Sequence, residues 1–173
     1  MIKQKHTSAG TSISTVSKIF TSYDYDVGST ILDYGGGKYD KNKEYMEKKN
    51  CMLAVYDPYN RTKEHNEQVL DYVKTHGVDY ITCSNVLNVI DSIEVIDDVL
   101  KKIHYLANIS TVQMHKPTTI LFTVYEKNKN GIPEITSRGF QRNQPWQWYL
   151  KYIEKYFTIR SKSNGIIECV LNG

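Results

Sequence analysis

The sequence predicts an α/β protein built on a mostly parallel, doubly wound sheet with an antiparallel hairpin at its C-terminal end. Three observations predict it. Short apolar runs alternate with segments of helical period along most of the chain, the order that a parallel sheet covered by helices on both faces requires. A run of three glycines, Gly35-Gly36-Gly37, follows the first apolar run directly. Asn164-Gly165 separates the last two β-rich runs, which is a strong short-range hairpin signal.

The elements read as follows. Thr11 to Tyr23 has Ile13, Val16, Ile19 and Phe20 at helical spacing, with Thr11 or Ser12 as N-cap. Thr30 to Tyr34 is a short apolar run ending at the glycines, hence a buried strand and a tight turn. Asp40 to Lys49 is lysine-rich and helical, and Met52 to Tyr56 is a second buried strand ended by Asp57-Pro58-Tyr59-Asn60. Lys63 to Thr75 is helical, with Val69, Leu70 and Val73 on one face and Gly77 closing it. Val78 to Ser84 is the third strand, and a helix over about Ile93 to Leu106 presents Val95, Ile96, Val99, Leu100 and Ile103 inward. Thr118 to Tyr125 is strongly β, Glu126 to Asn143 reads as a long loop, and Pro145 to Tyr156 as an aromatic-rich helix. Phe157 to Lys162 and Ile166 to Leu171 form the hairpin.

Composition bounds the function. The 173 residues suit one domain, with 40% apolar and 24% charged residues marking a globular chain. Residues 1–29 are read as an N-terminal segment with a helix, and 30–173 as the sheet domain. No apolar run approaches the ~20 residues of a membrane-spanning helix, and Met1 to Gly10 lacks the apolar stretch of a secretory signal. A cytoplasmic protein with no membrane contact is therefore expected. The net charge of +3 permits an anionic partner and requires none. Lys3, Lys5 and His6 are read as a solvated tail. The three cysteines, Cys51, Cys83 and Cys169, lie far apart in apolar or β-branched runs. Buried free thiols are expected there, with no disulfide and no metal site.

Ligands of such sheets bind beyond the carboxyl ends of the strands, so the informative segments are 33–40, 57–61, 84–88 and 125–126. In Asp33-Tyr34-Gly35-Gly36-Gly37-Lys38-Tyr39-Asp40 a phosphate loop is excluded, because Leu32 and Tyr39 stand where it needs Gly and Ser or Thr. A dinucleotide fingerprint would need glycine at Asp40, and the acid at Asp33 is poor company for a pyrophosphate. A plain tight turn stays open on the loop alone. Asp57, 20 residues after the last glycine at the end of the second strand, is placed to accept hydrogen bonds from a ribose diol; a turn-capping aspartate is the alternative.

Asp33-x-Gly35-x-Gly37 resembles motif I of the class I S-adenosylmethionine-dependent methyltransferases, with Tyr39 replacing the frequent third glycine. Together with Val-Tyr-Asp57-Pro58-Tyr59-Asn60 and Ser84-Asn85-Val86-Leu87-Asn88, it looks most like small methyltransferase-like proteins of bacteria and their phages. The resemblance extends from about Thr30 to Leu171. It implies a Rossmann-like sheet, S-adenosylmethionine as cofactor, and methyl transfer to an unidentified small-molecule or nucleic-acid acceptor. It further implies a cofactor site of Asp33, Gly35, Gly36, Gly37, Asp57, Pro58, Tyr59, Ser84, Asn85 and Val86, in which Asp57 holds the ribose. Only 22 residues separate Asp57 from Asp79, so the family's third strand is expected to be missing or vestigial. Glu126 is the candidate general base, with Tyr125 and Asn85 beside it as further catalytic candidates. Gln141, Arg142, Asn143, Trp146 and Trp148 form a polar-aromatic group suited to a flat acceptor, or to core packing. A non-catalytic binder, a cofactor-cleaving enzyme and a general adenosine-ligand module are the alternatives.

Overall fold

Four short β-branched and aliphatic runs form the parallel core, three of them buried on both faces as parallel strands are when helices cover them, and one, at the sheet edge, alternating buried with more exposed residues. In the computed structural model, which describes residues 15–126, 128–136 and 139–173, these runs are β1 (Thr30–Tyr34), β2 (Met52–Tyr56), β3 (Tyr80–Ser84) and β4 (Thr119–Thr123). β1 pairs in parallel with β2 on one side and β3 on the other, and β3 pairs in parallel with β4. Two small strands, β5 (Glu134–Thr136) and β6 (Gly139–Gln141), form a separate antiparallel hairpin. The C-terminal hairpin of β7 (Phe157–Ser163) and β8 (Ile166–Leu171) joins the main sheet through β8, antiparallel to β4. The strand order is therefore β2-β1-β3-β4-β8-β7. Among the described residues no strand lies beyond β2, so the sheet ends where a third family strand would pair.

Period-two alternation sorts the core into two layers. Leu32, Ile81 and Phe122 pack against α3 (Lys63–His76) and α4 (Ile93–Met114). Ile31, Leu53, Val55 and Leu121 face the other way, against α1 (Lys18–Thr21) and α2 (Lys41–Lys48). Asp33 and Thr82 lie on this second face among apolar neighbours. β1 is the point where the chain, having built β2 on one flank, crosses to the other. Such a switch opens a crevice above the carboxyl ends of the two central strands.

Four segments differ from the sequence expectation, each for a tertiary reason. The helix expected over Thr11 to Tyr23 is a single turn, α1; Thr11 to Ser14 lie outside the described residues, as do Lys3, Lys5 and His6. Ser17 is held extended by its amide, which donates to Asn42 Oδ1 at 2.9 Å. α4 runs eight residues past Leu106 because its inner stripe continues in Ala107 and Ser110, and the Ser110 hydroxyl accepts from the Val78 amide. The expected helix over Pro145 to Tyr156 is a 3-10 turn, Trp146–Tyr149, followed by one α-turn, α5 (Leu150–Ile153). Its aromatic side chains pack sideways against one another, Trp148 on Tyr149 and Tyr152 with ring centroids 5.1 Å apart in each pair, and bulky rings extend helices poorly. The segment Glu126 to Asn143, expected as a loop, contains the β5–β6 hairpin. Asn143 organises that hairpin, donating from Nδ2 to Ile132 O and Glu134 Oε1. All three cysteines are free and buried.

Candidate cofactor and active site

The glycine turn occupies the end of β1, and each glycine is required for a different reason. Gly35 and Gly37 adopt φ of +79° and +83°, a left-handed backbone that side chains disfavour. A Cβ on Gly35 would stand 2.6 Å from Val86 Cγ2, so the loop after β3 leans directly on this residue. Gly36 has an ordinary backbone but no room: a Cβ would meet Asp33 Oδ2 at 2.3 Å and Val55 Cγ1 at 2.8 Å. Around Gly37 there is open space. Bare peptide there faces the crevice.

Asp33 lies beneath this turn and is buried. Its Oδ1 accepts from the Thr82 hydroxyl at 2.8 Å. Burial pushes its carboxyl up to about 7, helped by the charge of Asp57 and opposed by Thr82 and Arg61. The consequence for stability has a definite sign. Between the ordinary value of 3.8 and about 7 the folded chain keeps a proton that the unfolded chain releases. Stability from this group is thus full below pH 4, falls as pH rises towards 7, and is level above. Asp33→Asn is expected to abolish that decline when denaturant unfolding of both proteins is followed from pH 4 to 8; parallel curves would show that Asp33 is ionised in the fold.

Asp57 begins the turn after β2 and is 4% exposed. Its Oδ1 accepts from the amides of Tyr59 (2.9 Å) and Asn60 (3.1 Å). Its Oδ2 accepts from the Gly37 amide (2.9 Å) and from Asn60 Nδ2 (3.0 Å). The Gly37 bond joins the two sequence motifs into one rim. Asn66, on the inner stripe of α3, holds the Asp57 backbone at both ends: its Oδ1 accepts from Asp57 N and its Nδ2 donates to Asp57 O. Arg61 fastens the glycine loop from the same turn, donating to Gly37 O and Tyr39 O and pairing with Asp40 at 2.8 Å. Pro58 and Tyr59 stand exposed beside it.

On the other side of the crevice, Asn85 takes φ +55° and its amide donates to Thr123 O. Ser84 and Thr123 share a hydroxyl contact of 3.0 Å. Tyr125 is partly exposed, and Glu126 Oε2 accepts from the Trp146 amide at 3.0 Å while pairing with Lys129 at 3.6 Å. Arg142 is buried with its guanidinium over the rings of Trp148 (4.7 Å) and Phe140 (5.0 Å), donating to Ile90 O. The polar-aromatic group expected to grip an acceptor is thus largely turned on itself, with Trp146 against Lys162. Asn88 Oδ1, Arg142 Nε and Tyr149 Oη are buried without a partner among the described residues. Burial pushes the Cys83 thiol far above its ordinary range, which makes it a poor nucleophile.

A S-adenosylmethionine-dependent methyltransferase from Aquifex aeolicus superposes with a TM-score of 0.52 at 12% identity, over 90% of this chain and 88% of that one. One from Mesorhizobium loti gives 0.51 at 8% identity, over 87% and 94%. The fold is that of the class I S-adenosylmethionine-dependent methyltransferases. No protein-family model and no curated protein matches the sequence. Among the described residues, no helix of this methyltransferase fold is long and apolar enough to cross a membrane.

Sequence reasoning missed Arg61, Asn60 and Asn66, which position the rim. A signal existed for one of them: Asn66, Val69 and Val73 share a helical stripe, and an Asn on a core stripe must bond something buried.

Proposed function

We propose that the protein binds S-adenosylmethionine in the crevice above the end of β1, between the turns that follow β2 and β3, and transfers its methyl group to an acceptor held between the loop after β3 and the end of β4. One observation carries this reading: the Gly37 amide and the buried Asp57 carboxylate, 20 residues apart, meet at 2.9 Å over the switch point of the sheet. Open peptide at Gly37 offers a surface for the cofactor's amino-acid portion, a cationic group bound above Asp33 would draw off its proton and pair with the carboxylate left behind, and Asp57 offers oxygens to the ribose. Pro58 and Tyr59 flank the adenine, with Ser84, Asn85 and Val86 closing the opposite wall.

When bound, the cofactor supplies an activated methyl group on a sulfonium. The chain's own task is then alignment of the acceptor and removal of its proton. Glu126, Tyr125 and Asn85 are the residues proposed for that task. Glu126 is positioned by its bond to the Trp146 amide. Isothermal calorimetry with S-adenosylmethionine, its demethylated product and NAD tests the pocket; binding of NAD alone would overturn the reading. Labelled-methyl incorporation into nucleic acid, protein and small-molecule fractions tests transfer, and binding without incorporation would leave a silent binder.

The Asp57 carboxylate has about four acceptor positions, and four N–H groups of the chain already use them. A ribose diol must displace some of these, and the Asn60 side chain is the most dispensable. Asn60→Ala is accordingly expected to tighten cofactor binding by roughly 10-fold, the lower end of the worth of one hydrogen bond to a charged acceptor no longer broken. A weaker complex would mean that Asn60 itself contacts the cofactor.

A further inference from the structure

Arg142 is a buried cation whose charge the chain leaves unpaired. It is 8% exposed, and among the described residues it forms no ion pair. All 19 acidic side chains of the sequence belong to those described residues, so none of them supplies its counter-charge. Asp91 is the acid whose charge reaches it, from beyond ion-pair distance. Arg61 is treated differently: its guanidinium binds two backbone carbonyls and the Asp40 carboxylate. A charge taken out of water stays unfavourable until an opposite charge and hydrogen bonds meet it. A guanidinium has five N–H donors, and Ile90 O takes one, from Nη2 at 2.7 Å. Nε is enclosed without a partner. Nη1 also lacks a bond but is not among the enclosed atoms, so it marks the open edge of the group.

Arg142 stands over the same end of the sheet as the acceptor-side residues. Its backbone amide donates to the carbonyl of Asn88 at 2.9 Å, three positions after Asn85. Trp148, whose ring lies against the guanidinium, is two residues from Trp146, whose amide bonds Glu126. Tyr149 feels the charges of both Arg142 and Glu126, and its hydroxyl is buried without a partner. The unpaired cation and the proposed general base thus flank one side chain.

We propose that the methyl acceptor is a small molecule bearing a carboxylate, and that Arg142 receives this carboxylate at its open edge through Nη1. The proposal rests on the methyltransferase reading for the acceptor's place and adds its chemical class. Two aromatic rings and the Ile90 carbonyl hold the guanidinium, so the donor edge is set before the ligand arrives. A planar carboxylate matches that edge in shape and charge. A nucleic-acid backbone matches it less well, because it calls for several cations along a groove. Nearby, Lys129 is paired with Glu126, and Lys162 lies over the Trp146 ring. One free positive charge suits one negative charge.

Nuclear magnetic resonance of the Arg142 Nε–H group in the full chain, without cofactor, tests the site. Titration with benzoate and with acetate is expected to move that signal saturably. Each carboxylate should bind roughly 10-fold more tightly than its amide, benzamide or acetamide, the worth of one charge-assisted hydrogen bond. Arg142→Lys keeps the charge and loses the fork. In that variant, once circular dichroism shows it folded, the tryptophan indole N–H signals should report benzoate binding about 10-fold weaker. No preference for carboxylate over amide in the wild type overturns the proposal, as does an unchanged preference in folded Arg142→Lys. Inorganic phosphate binding more tightly than either carboxylate overturns it too, as does labelled methyl found in nucleic acid alone. The titrations omit S-adenosylmethionine, so their failure is distinct from a failure of cofactor binding in the calorimeter.

Discussion

Asp57→Ala is expected to weaken S-adenosylmethionine binding roughly 100-fold. Hydrogen bonds to a charged acceptor contribute about 1.5–3 kcal/mol each, and the substitution deletes two from the ribose, about 3 kcal/mol in all at the lower end, or two decades of affinity. The same carboxylate anchors the amides of Gly37, Tyr59 and Asn60, so a loss of stability of about 3 kcal/mol or more and a fall in Tm of roughly 6–12 °C should accompany it. The two effects separate experimentally. Calorimetry well below the melting transition reads affinity on folded protein, and Asp57→Asn, which keeps the shape and part of the acceptor capacity, should fall between. Wild-type affinity in folded Asp57→Ala would return the carboxylate to a capping role alone.

Gly36→Ala should be more damaging than Gly37→Ala. A methyl there lands 2.3 Å from Asp33 Oδ2 and 2.8 Å from Val55 Cγ1. Neither neighbour is a loose end. Asp33 is buried and bonded to Thr82, and Val55 is locked between β1 and the α2 layer. Overpacking at such a site costs about 1–3 kcal/mol, a Tm fall of roughly 2–12 °C for a chain of this size. Gly37→Ala makes the useful contrast. Its methyl enters open space, and its cost is the left-handed backbone, about 1–2 kcal/mol, so Gly37→Asn should be milder. Thermal melts of the three variants rank the effects; Gly37→Ala below Gly36→Ala would show that conformation outweighs space in this turn.

The order of elements, the parallel core and the C-terminal hairpin were legible because each rests on local signals: apolar runs, their period and the Asn-Gly turn. Asp33, the glycines and Asp57 were legible by spacing. Their partners were not. Arg61 is an ordinary basic residue until the fold carries it back 24 positions to Gly37 O, and the Asn60 amide bonds a carboxylate that equally suits a plain turn. Nor did the segment 126–143 reveal its hairpin, because all three residues of β5 are exposed and so leave no apolar alternation to detect.

The sequence by itself determined an α/β sheet ending at β2, a glycine turn under an acid, and a second acid on the neighbouring strand, because local composition and spacing encode strands and turns. The tertiary structure alone decided how those groups are used. It buried Asp33 against Thr82, filled the Asp57 carboxylate with four N–H donors, folded Arg142 into its own aromatic ring pair, and capped the β2 edge with His65 on Val55 O. Those outcomes depend on which faces meet across strands far apart in the chain, and long-range packing of that kind leaves no periodic trace in the order of residues.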